Sequence, residues 1–190
     1  LENPESPFAA IHIEPSSPIF AMLSNSTMKD RVSALDHSVF AGAFDGLERC
    51  YNGNATCSDA SVAYKTVVEV LEGLTEGAPV EDQRIRQVVD HLEAQSPLDY
   101  QFRELLAMTG LSQSRFSHVF TEKVGISIRG FQKWRKTKEA IYALNSGQSL
   151  TMIAHQCGFS DSAHFARTFR SSLGLSPSAF TGSNAVKVIQ

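Results

Sequence analysis

Residues 158–169 read GFSDSAHFARTF, and this stretch contains the pattern that decides the fold. Phe165 and Phe169 are four residues apart, the spacing at which two side chains lie on the same face of a helix. Asp161 precedes them at a position where a carboxylate accepts N–H bonds from the first turn of a helix. We therefore predict a helix that begins after Asp161 and buries its two phenylalanines. Its outer face carries small residues, a histidine and arginines, namely Ala163, His164, Arg167 and Arg170.

The same arrangement occurs earlier in the chain. Four features recur 49 residues apart: a capping residue, two aromatic residues and a glycine after the helix. In the first copy they are Ser112, Phe116, Phe120 and Gly125, and in the second they are Asp161, Phe165, Phe169 and Gly174. Ser160 is one extra residue in the turn of the second copy. Each copy reads as two helices joined by a glycine-containing turn, the helix-turn-helix arrangement, and together they indicate an internal duplication.

Apolar residues spaced by three and four predict helices elsewhere in the chain. One pattern covers residues 19–51, a second runs from Val62 to Leu74, and a long helix is expected from about Ile128 to Leu144. The stretch FAAIHIEP, residues 8–15, alternates as a single strand would. We predict an all-α fold of two helix-turn-helix subdomains joined by a long linker helix and preceded by a helical N-terminal segment.

Charge is distributed unevenly along the chain. Residues 1–81 contain 4 Lys or Arg against 12 Asp or Glu, whereas residues 82–190 contain 13 against 8. Between Arg103 and Arg170 the numbers are 10 against 4. A basic half joined to an acidic half is typical of a nucleic-acid-binding module attached to another segment.

The three cysteines, Cys50, Cys57 and Cys157, form no disulfide framework, and an odd number suits a reducing cytoplasm. Cys50 and Cys57 flank the turn-forming stretch YNGNAT, so a local pair is an alternative, but free thiols are the favoured interpretation. No second Cys or His pair completes a zinc site, and we expect no metal and no cofactor. No apolar run approaches the roughly 18 residues of a membrane span.

In a helix-turn-helix, the second helix presents its outer face to the major groove of DNA, which is about 12 Å wide. Small residues near the start of this helix allow close entry into the groove, and Arg and His supply donors to bases and phosphates. A solvated surface face would explain a single such helix equally well. Two copies on a basic segment favour DNA binding.

Residues from about 82 to 180 resemble the DNA-binding domain of the AraC/XylS family of bacterial transcription regulators. The resemblance rests on LTMIAHQCGFSDSAHFARTFRSSLGLSPSAF (150–180) for the second helix-turn-helix, on LSQSRFSHVFTEKVGIS (111–127) for the first, and on FQKWRKTKEAIYAL (131–144) for the linker helix. The family usually has Arg-Leu four residues before its linker alanine, where this chain has Lys136 and Thr137 before Ala140. The contacts of that arginine are therefore not transferred to this chain.

The resemblance implies a set of DNA-binding residues. Those expected to read bases are Gln113, Ser114, Ser117 and His118 in the first copy and Ser162, Ala163, Ala166 and Arg167 in the second. His164 lies on the same outer face. Those expected to contact phosphate, which positions a protein without specifying sequence, are Arg115, Arg129, Lys133 and Arg170.

The resemblance also implies domains and partners. Residues 1–78 would be the end of an effector or dimerisation domain, residues 79–182 the DNA-binding domain, and residues 183–190 a tail. Expected partners are double-stranded DNA, RNA polymerase and a second copy of the chain through residues 19–76. A small-molecule effector is not identified by the sequence.

The expected function is a sequence-specific transcription regulator, more often an activator in this family, in the bacterial cytoplasm at the nucleoid. One alternative is an interaction protein that acts through its acidic N-terminal helices and binds DNA weakly. Another is an enzyme, because the family's module is sometimes fused to DNA-repair alkyl transfer. That activity needs a reactive cysteine and a zinc-binding cysteine set, for which the cysteines here are too few.

Overall fold

The structure, a computed structural model, describes residues 13–25, 37–52, 54–73, 81–144, 146–174 and 176–178. These residues form helices and connecting turns and contain no strand, so the predicted all-α fold is confirmed for this part of the chain. The helices are α1 (Pro18–Asn25), α2 (Ala41–Asn52), α3 (Cys57–Gly73), α4 (Gln83–Glu93), α5 (Phe102–Thr109), α6 (Gln113–Val124), α7 (Ile128–Leu144), α8 (Leu150–Gln156) and α9 (Ser162–Leu173). The chain divides into two compact units between Ala78 and Pro79.

The N-terminal unit is built around the α2–α3 hairpin, in which the two helices run antiparallel at close range. A Cβ added to Gly46 would lie 2.9 Å from the Cβ of Ala63, and one added to Gly42 would lie 3.3 Å from Thr66 Cγ2. Glycines therefore let the helices approach each other closely. The Arg49 guanidinium binds the Asp59 carboxylate across the end of the hairpin at 2.8 Å.

The helical pattern predicted over residues 19–51 is not one helix. α1 covers its beginning, and a 3₁₀ turn, His37–Phe40, precedes α2. Residues 26–36 lie outside the described residues, as do Leu74 and most of the strand expected over 8–15, of which residues 13–15 form no strand. Several apolar positions of the predicted stripes are exposed rather than buried, namely Val39, Phe44 and Val62. The buried apolar side chains described in this unit include Ile19 and Ala21 of α1 and the cluster of Ala43, Ala63 and Val67.

The C-terminal unit contains two hydrophobic cores, one for each copy of the repeat. The first core joins α4, α5, α6 and the start of α7 through the buried residues Ile85, Val88, Val89, Leu92, Leu105, Phe116, Val119, Phe120, Val124, Ile128 and Phe131. The second joins the end of α7 to α8 and α9 through Ala140, Leu144, Ile153, Ala154, Cys157, Phe159, Phe165, Phe169 and Leu173. The linker helix α7 thus belongs to both cores.

The paired phenylalanines lie at the centres of these cores, as the repeat predicts. Phe116 and Phe120 contact each other with ring centroids 5.6 Å apart, and Phe165 and Phe169 do so at 5.4 Å. All four are completely buried. Aromatic pairs at such distances are stabilised beyond the burial of their area, so the same pair holds each helix-turn-helix together.

The described ranges contain neither a membrane-spanning helix nor a group of residues typical of a metal site. No helix among them is long and apolar enough to cross a membrane. Nor do the residues that the structure covers bring together three or more His, Cys, Asp or Glu side chains that could hold a metal ion. Cys50, Cys57 and Cys157 are free thiols, and burial raises the pKa of Cys157.

Phe169→Ala should destabilise the C-terminal unit by about 3–5 kcal/mol, because it empties a fully buried aromatic site. Urea unfolding of the full chain, followed by circular dichroism, measures this loss. Met152→Ala is the matched control, since Met152 is 54% exposed on α8 and its truncation should change stability by less than about 0.5 kcal/mol. Equal unfolding midpoints for Phe169→Ala and wild type would contradict the burial of this ring.

Candidate nucleic-acid interface

The second helix of each helix-turn-helix, α6 or α9, is called a recognition helix here after its predicted role. The first recognition helix, α6, begins and ends with caps that its sequence supplies. The Ser112 hydroxyl accepts a hydrogen bond from the Arg115 N–H at 3.4 Å, and Gly125 ends the helix in the left-handed conformation with φ of 87°. Gly110, with φ of 64°, ends the preceding helix α5 in the same way. The first turn of α6 is therefore fixed relative to α5, and its side chains emerge at a defined angle.

The second recognition helix, α9, starts from a more elaborate turn. The Asp161 carboxylate accepts the His164 N–H at 2.6 Å, and this bond, followed by one from the Ser160 hydroxyl, lowers the pKa of the carboxyl. The hydroxyl of Ser160, the extra residue of this copy, donates to Asp161 at 3.0 Å and lies 3.1 Å from Nδ1 of His164. The His164 ring also meets Phe159 edge to face at 5.6 Å.

The predicted DNA-binding residues emerge on the sides of the recognition helices away from the cores. Ser117 and Ala166, which correspond in the two copies, are partly buried, and the others on these helices are exposed, namely Gln113, Ser114, Arg115, His118, Ser162, Ala163, His164, Arg167 and Arg170. The structure thus places each set on the outer surface of its own helix. Contact with DNA is not tested by this placement and stays a prediction.

Two of the predicted contacts have local partners in the structure. The Ser117 hydroxyl donates to the Gln113 carbonyl at 2.9 Å, and His118 Nδ1 lies 3.8 Å from the Glu122 carboxylate. Glu122 also binds Lys123, whose hydrogen bond and charge lower the pKa of the Glu122 carboxyl. His118 therefore stands beside a carboxylate that would repel phosphate.

The linker helix carries two basic side chains that were predicted to contact phosphate. Arg129 and Lys133 are both exposed on α7. The Lys133 ammonium lies 3.5 Å from the Ser171 hydroxyl of α9, so it stands where the linker meets the second recognition helix.

Two adjacent residues of α7 have roles that the sequence analysis did not anticipate. Arg135 is only 3% exposed, and its guanidinium donates to the Gln132 side chain at 2.9 Å and to the Gln95 carbonyl. Burial lowers the pKa of Arg135. The Lys136 ammonium donates to the Gly158 carbonyl at 2.9 Å, in the turn before α9. The burial of Arg135 could have been predicted from its position in the sequence. Phe131 follows Ile128 by three residues and Arg135 follows Phe131 by four, so all three lie in the row of α7 that faces the core.

Comparison with known proteins agrees with this geometry. Residues 105–183 match the family model described as "Helix-turn-helix domain". The arabinose operon regulatory protein of Escherichia coli strain K12 is 27% identical over 124 residues. Residues 105–183 are thus similar to the helix-turn-helix unit of AraC-type transcription regulators. The AraC-type unit is a DNA-binding helix-turn-helix of transcription regulators.

Other relatives share the AraC-type unit. An uncharacterised HTH-type transcriptional regulator of Staphylococcus aureus strain MSSA476 is 33% identical over 102 residues, which is 53% of this chain and 14% of that protein. The match to the arabinose regulator covers 62% of this chain and 41% of that protein. The crystal structure of ToxT from Vibrio cholerae has a similar fold, with a TM-score of 0.50 at 15% identity over 81% of this chain and 60% of that one. This chain therefore spans much less than the full length of its relatives.

Proposed function

We propose that this chain is a sequence-specific transcription activator that reads two successive major grooves of DNA, one with α6 and the other with α9. The observation that carries the proposal is that both recognition helices are capped, present exposed polar faces and are attached to one helix that is buried in both cores. The relatives that share this unit are transcription regulators.

The length of α7, taken together with the helices packed at its two ends, approximates one turn of DNA. Its 17 residues span about 25 Å at 1.5 Å per residue. The recognition helices pack on it at about 8–10 Å, which brings the two reading heads to roughly 34 Å, the length of one turn of the duplex. One chain would therefore contact one face of the duplex with both heads.

The exposed residues divide into two roles. Those proposed to reach base edges are Gln113, Ser114, Ser117, His118, Ser162, Ala163, Ala166 and Arg167, and His164 would use Nε2 because its Nδ1 lies within bonding distance of Ser160. Arg115, Arg129, Lys133 and Arg170 would hold phosphates. Arg167 is the side chain best suited to a guanine, since arginine bonds O6 and N7 together.

Activation would require contact with RNA polymerase at a promoter next to the bound site. The family resemblance favours activation over repression. The chain would act in the bacterial cytoplasm, at the nucleoid.

We also propose that residues 19–76 pair with a second copy of the chain. The three residues at the buried centre of the α2–α3 hairpin, Ala43, Ala63 and Val67, have small side chains and bury little apolar area. Val62 and Tyr64, in contrast, are more than half exposed on α3. Burying such side chains against a second copy would stabilise this unit.

Arg167→Ala should weaken binding to the specific site by about 1–3 kcal/mol and relax the preference at one base position. Arg170→Ala, the matched control, should weaken binding to all sequences alike and reduce the salt dependence by about one counterion, because it removes a phosphate contact. Titrating each variant with the selected site and its single-base substitutions distinguishes these effects. If Arg167→Ala instead weakened binding equally to all the sequences, Arg167 would be a phosphate contact.

The full chain should protect two segments on one face of the duplex, separated by about 10–10.5 base pairs. Hydroxyl-radical footprinting on a site selected from random DNA measures this, and the site of one chain should be asymmetric because the two helices differ in sequence. The same site placed upstream of a promoter should raise transcription by RNA polymerase.

Protection of a single groove would contradict two-groove reading, and a fall in transcript would make the chain a repressor. Binding to random DNA that does not weaken as salt rises would favour the interaction-protein alternative, since DNA binding depends steeply on salt.

The full chain should sediment as a dimer in physiological salt, where repulsion between the acidic segments is screened. Val62→Ser combined with Tyr64→Ser should weaken the dimer at least about tenfold, because it replaces apolar and aromatic contact area with hydroxyls. Met152→Ser, an exposed change in the other unit, is the control. A wild-type chain that stays monomeric, or a double variant with unchanged association, would contradict pairing through this segment.

A further inference from the structure

The two helix-turn-helix subdomains touch at a point that lies outside both hydrophobic cores. The turn between α4 and α5, residues 94–101, belongs to the first subdomain, whose core includes α4 and α5. A Cβ placed on Gly158, in the turn of the second subdomain, would overlap the Cδ2 atom of Leu98 from this first-subdomain turn. Leu98 and Gly158 are therefore in direct contact across the subdomain boundary.

Gly158 is held from a second side by the linker helix. Its carbonyl accepts the hydrogen bond from the Lys136 ammonium, and the Nζ and Cε atoms of Lys136 would lie 3.3 and 3.6 Å from a Cβ placed on Gly158. With φ of 72°, Gly158 occupies a conformation that favours glycine, so the turn has a fixed shape at the point where it is held. Leu98 and Lys136 form what we term the Gly158 clamp.

The clamp holds the turn that precedes α9 and sets the direction of that helix. Gly158 is followed within three residues by Asp161, whose carboxylate caps α9. The other side of the clamp is anchored to the first subdomain, because Arg135 of the linker binds the Gln95 carbonyl in the same α4–α5 turn as Leu98. A change at the clamp would therefore alter the direction of α9 relative to α6 without touching either recognition surface.

The exposure of Leu98 agrees with such a role. It is a large apolar residue that is 54% exposed, does not belong to the buried core and packs against Gly158. Lys136 is partly buried and donates to a backbone carbonyl rather than to a carboxylate. Neither residue carries the burial on which the fold of its subdomain depends.

We propose that Leu98 and Lys136 are positioning residues that fix the spacing and rotational phase of the two recognition helices, and thereby set which separation of two DNA boxes the chain accepts. This inference rests on the two-groove reading proposed above. Inserting one base pair moves a box by about 3.4 Å and rotates it by about 34–36°, so a rigidly clamped pair of heads would reject it.

The experiment combines a measurement on DNA with one on the free protein. On DNA, the full chain is titrated with sites in which the two boxes are separated by the native spacing or by one or two base pairs more or fewer, and with a site that has one box. Wild type should lose at least about tenfold in affinity per one-base-pair change, whereas Leu98→Ala and Lys136→Met should lose less than about threefold, since a flexible connection retains the effective concentration of the second head. Affinity for the single box should not change.

Two variants serve as controls for these changes. Lys136→Arg keeps a donor for the Gly158 carbonyl and should retain the wild-type spacing profile. Met108→Ala truncates an exposed apolar residue of the first subdomain, away from the clamp, and should retain it as well. Equal profiles for wild type, Leu98→Ala and Lys136→Met would overturn the proposal, as would a loss of the same size on every site including the single box.

Without DNA, spin labels on Gln113→Cys and Ser162→Cys report the distance between the first residues of α6 and α9, with Cys50 and Cys57 changed to serine. The distance distribution should be narrow in wild type and Lys136→Arg and broad in Leu98→Ala and Lys136→Met. Unbroadened distributions overturn the positioning role whatever the DNA result. Broadened distributions with no spacing preference in wild type would retain the positioning role and refute two-groove reading.

Discussion

The C-terminal unit depends on the burial of a single helix in two hydrophobic cores. Phe131, near the start of α7, meets Phe120 of the first recognition helix edge to face at 5.7 Å, and Ala140 and Leu144 near its end belong to the core that contains Phe165 and Phe169. An α-helix is stiff over this length, because every turn is held by backbone hydrogen bonds. The position of each recognition helix is therefore fixed by its packing on the same helix, α7. The contacts around Gly158 add a second connection between the two subdomains.

Much of this unit could be predicted from the sequence, because its signals are local. The phenylalanine pairs have the spacing of a helix face, and Ser112 and Asp161 precede their helices at capping positions, where the structure finds them accepting N–H bonds. The predicted bounds of the linker helix agree with α7, because the helical spacing of Ile128, Phe131, Ala140 and Leu144 lies between two breaks in the pattern. The outward direction of the predicted interface residues followed from the inward direction of the phenylalanines.

The rest depended on contacts between residues far apart in the sequence. Nothing in the order of residues indicates that Leu98 meets Gly158 or that Lys136 donates to its carbonyl, since each pair is formed only by the packing of complete helices. The N-terminal unit illustrates a second limit. Its apolar spacing predicted a helical pattern over residues 19–51, but periodicity alone does not show where a 3₁₀ turn enters, and Val39 is exposed despite its place in the pattern.

The extra residue in the second turn means that the two heads are not interchangeable parts. Ser160 has no counterpart in the first copy, and its hydroxyl lies between the capping carboxylate and the His164 ring. Grafting only the outward residues of one recognition helix onto the other would leave the turn of the receiving copy, and therefore the start of its helix, unchanged. Transplanting a whole turn would instead move the start of the helix by one residue, which rotates every reading position by about 100° at 3.6 residues per turn. The two copies therefore present their outward residues at different angles, and a set of base-reading residues designed for one copy must be redesigned for the other.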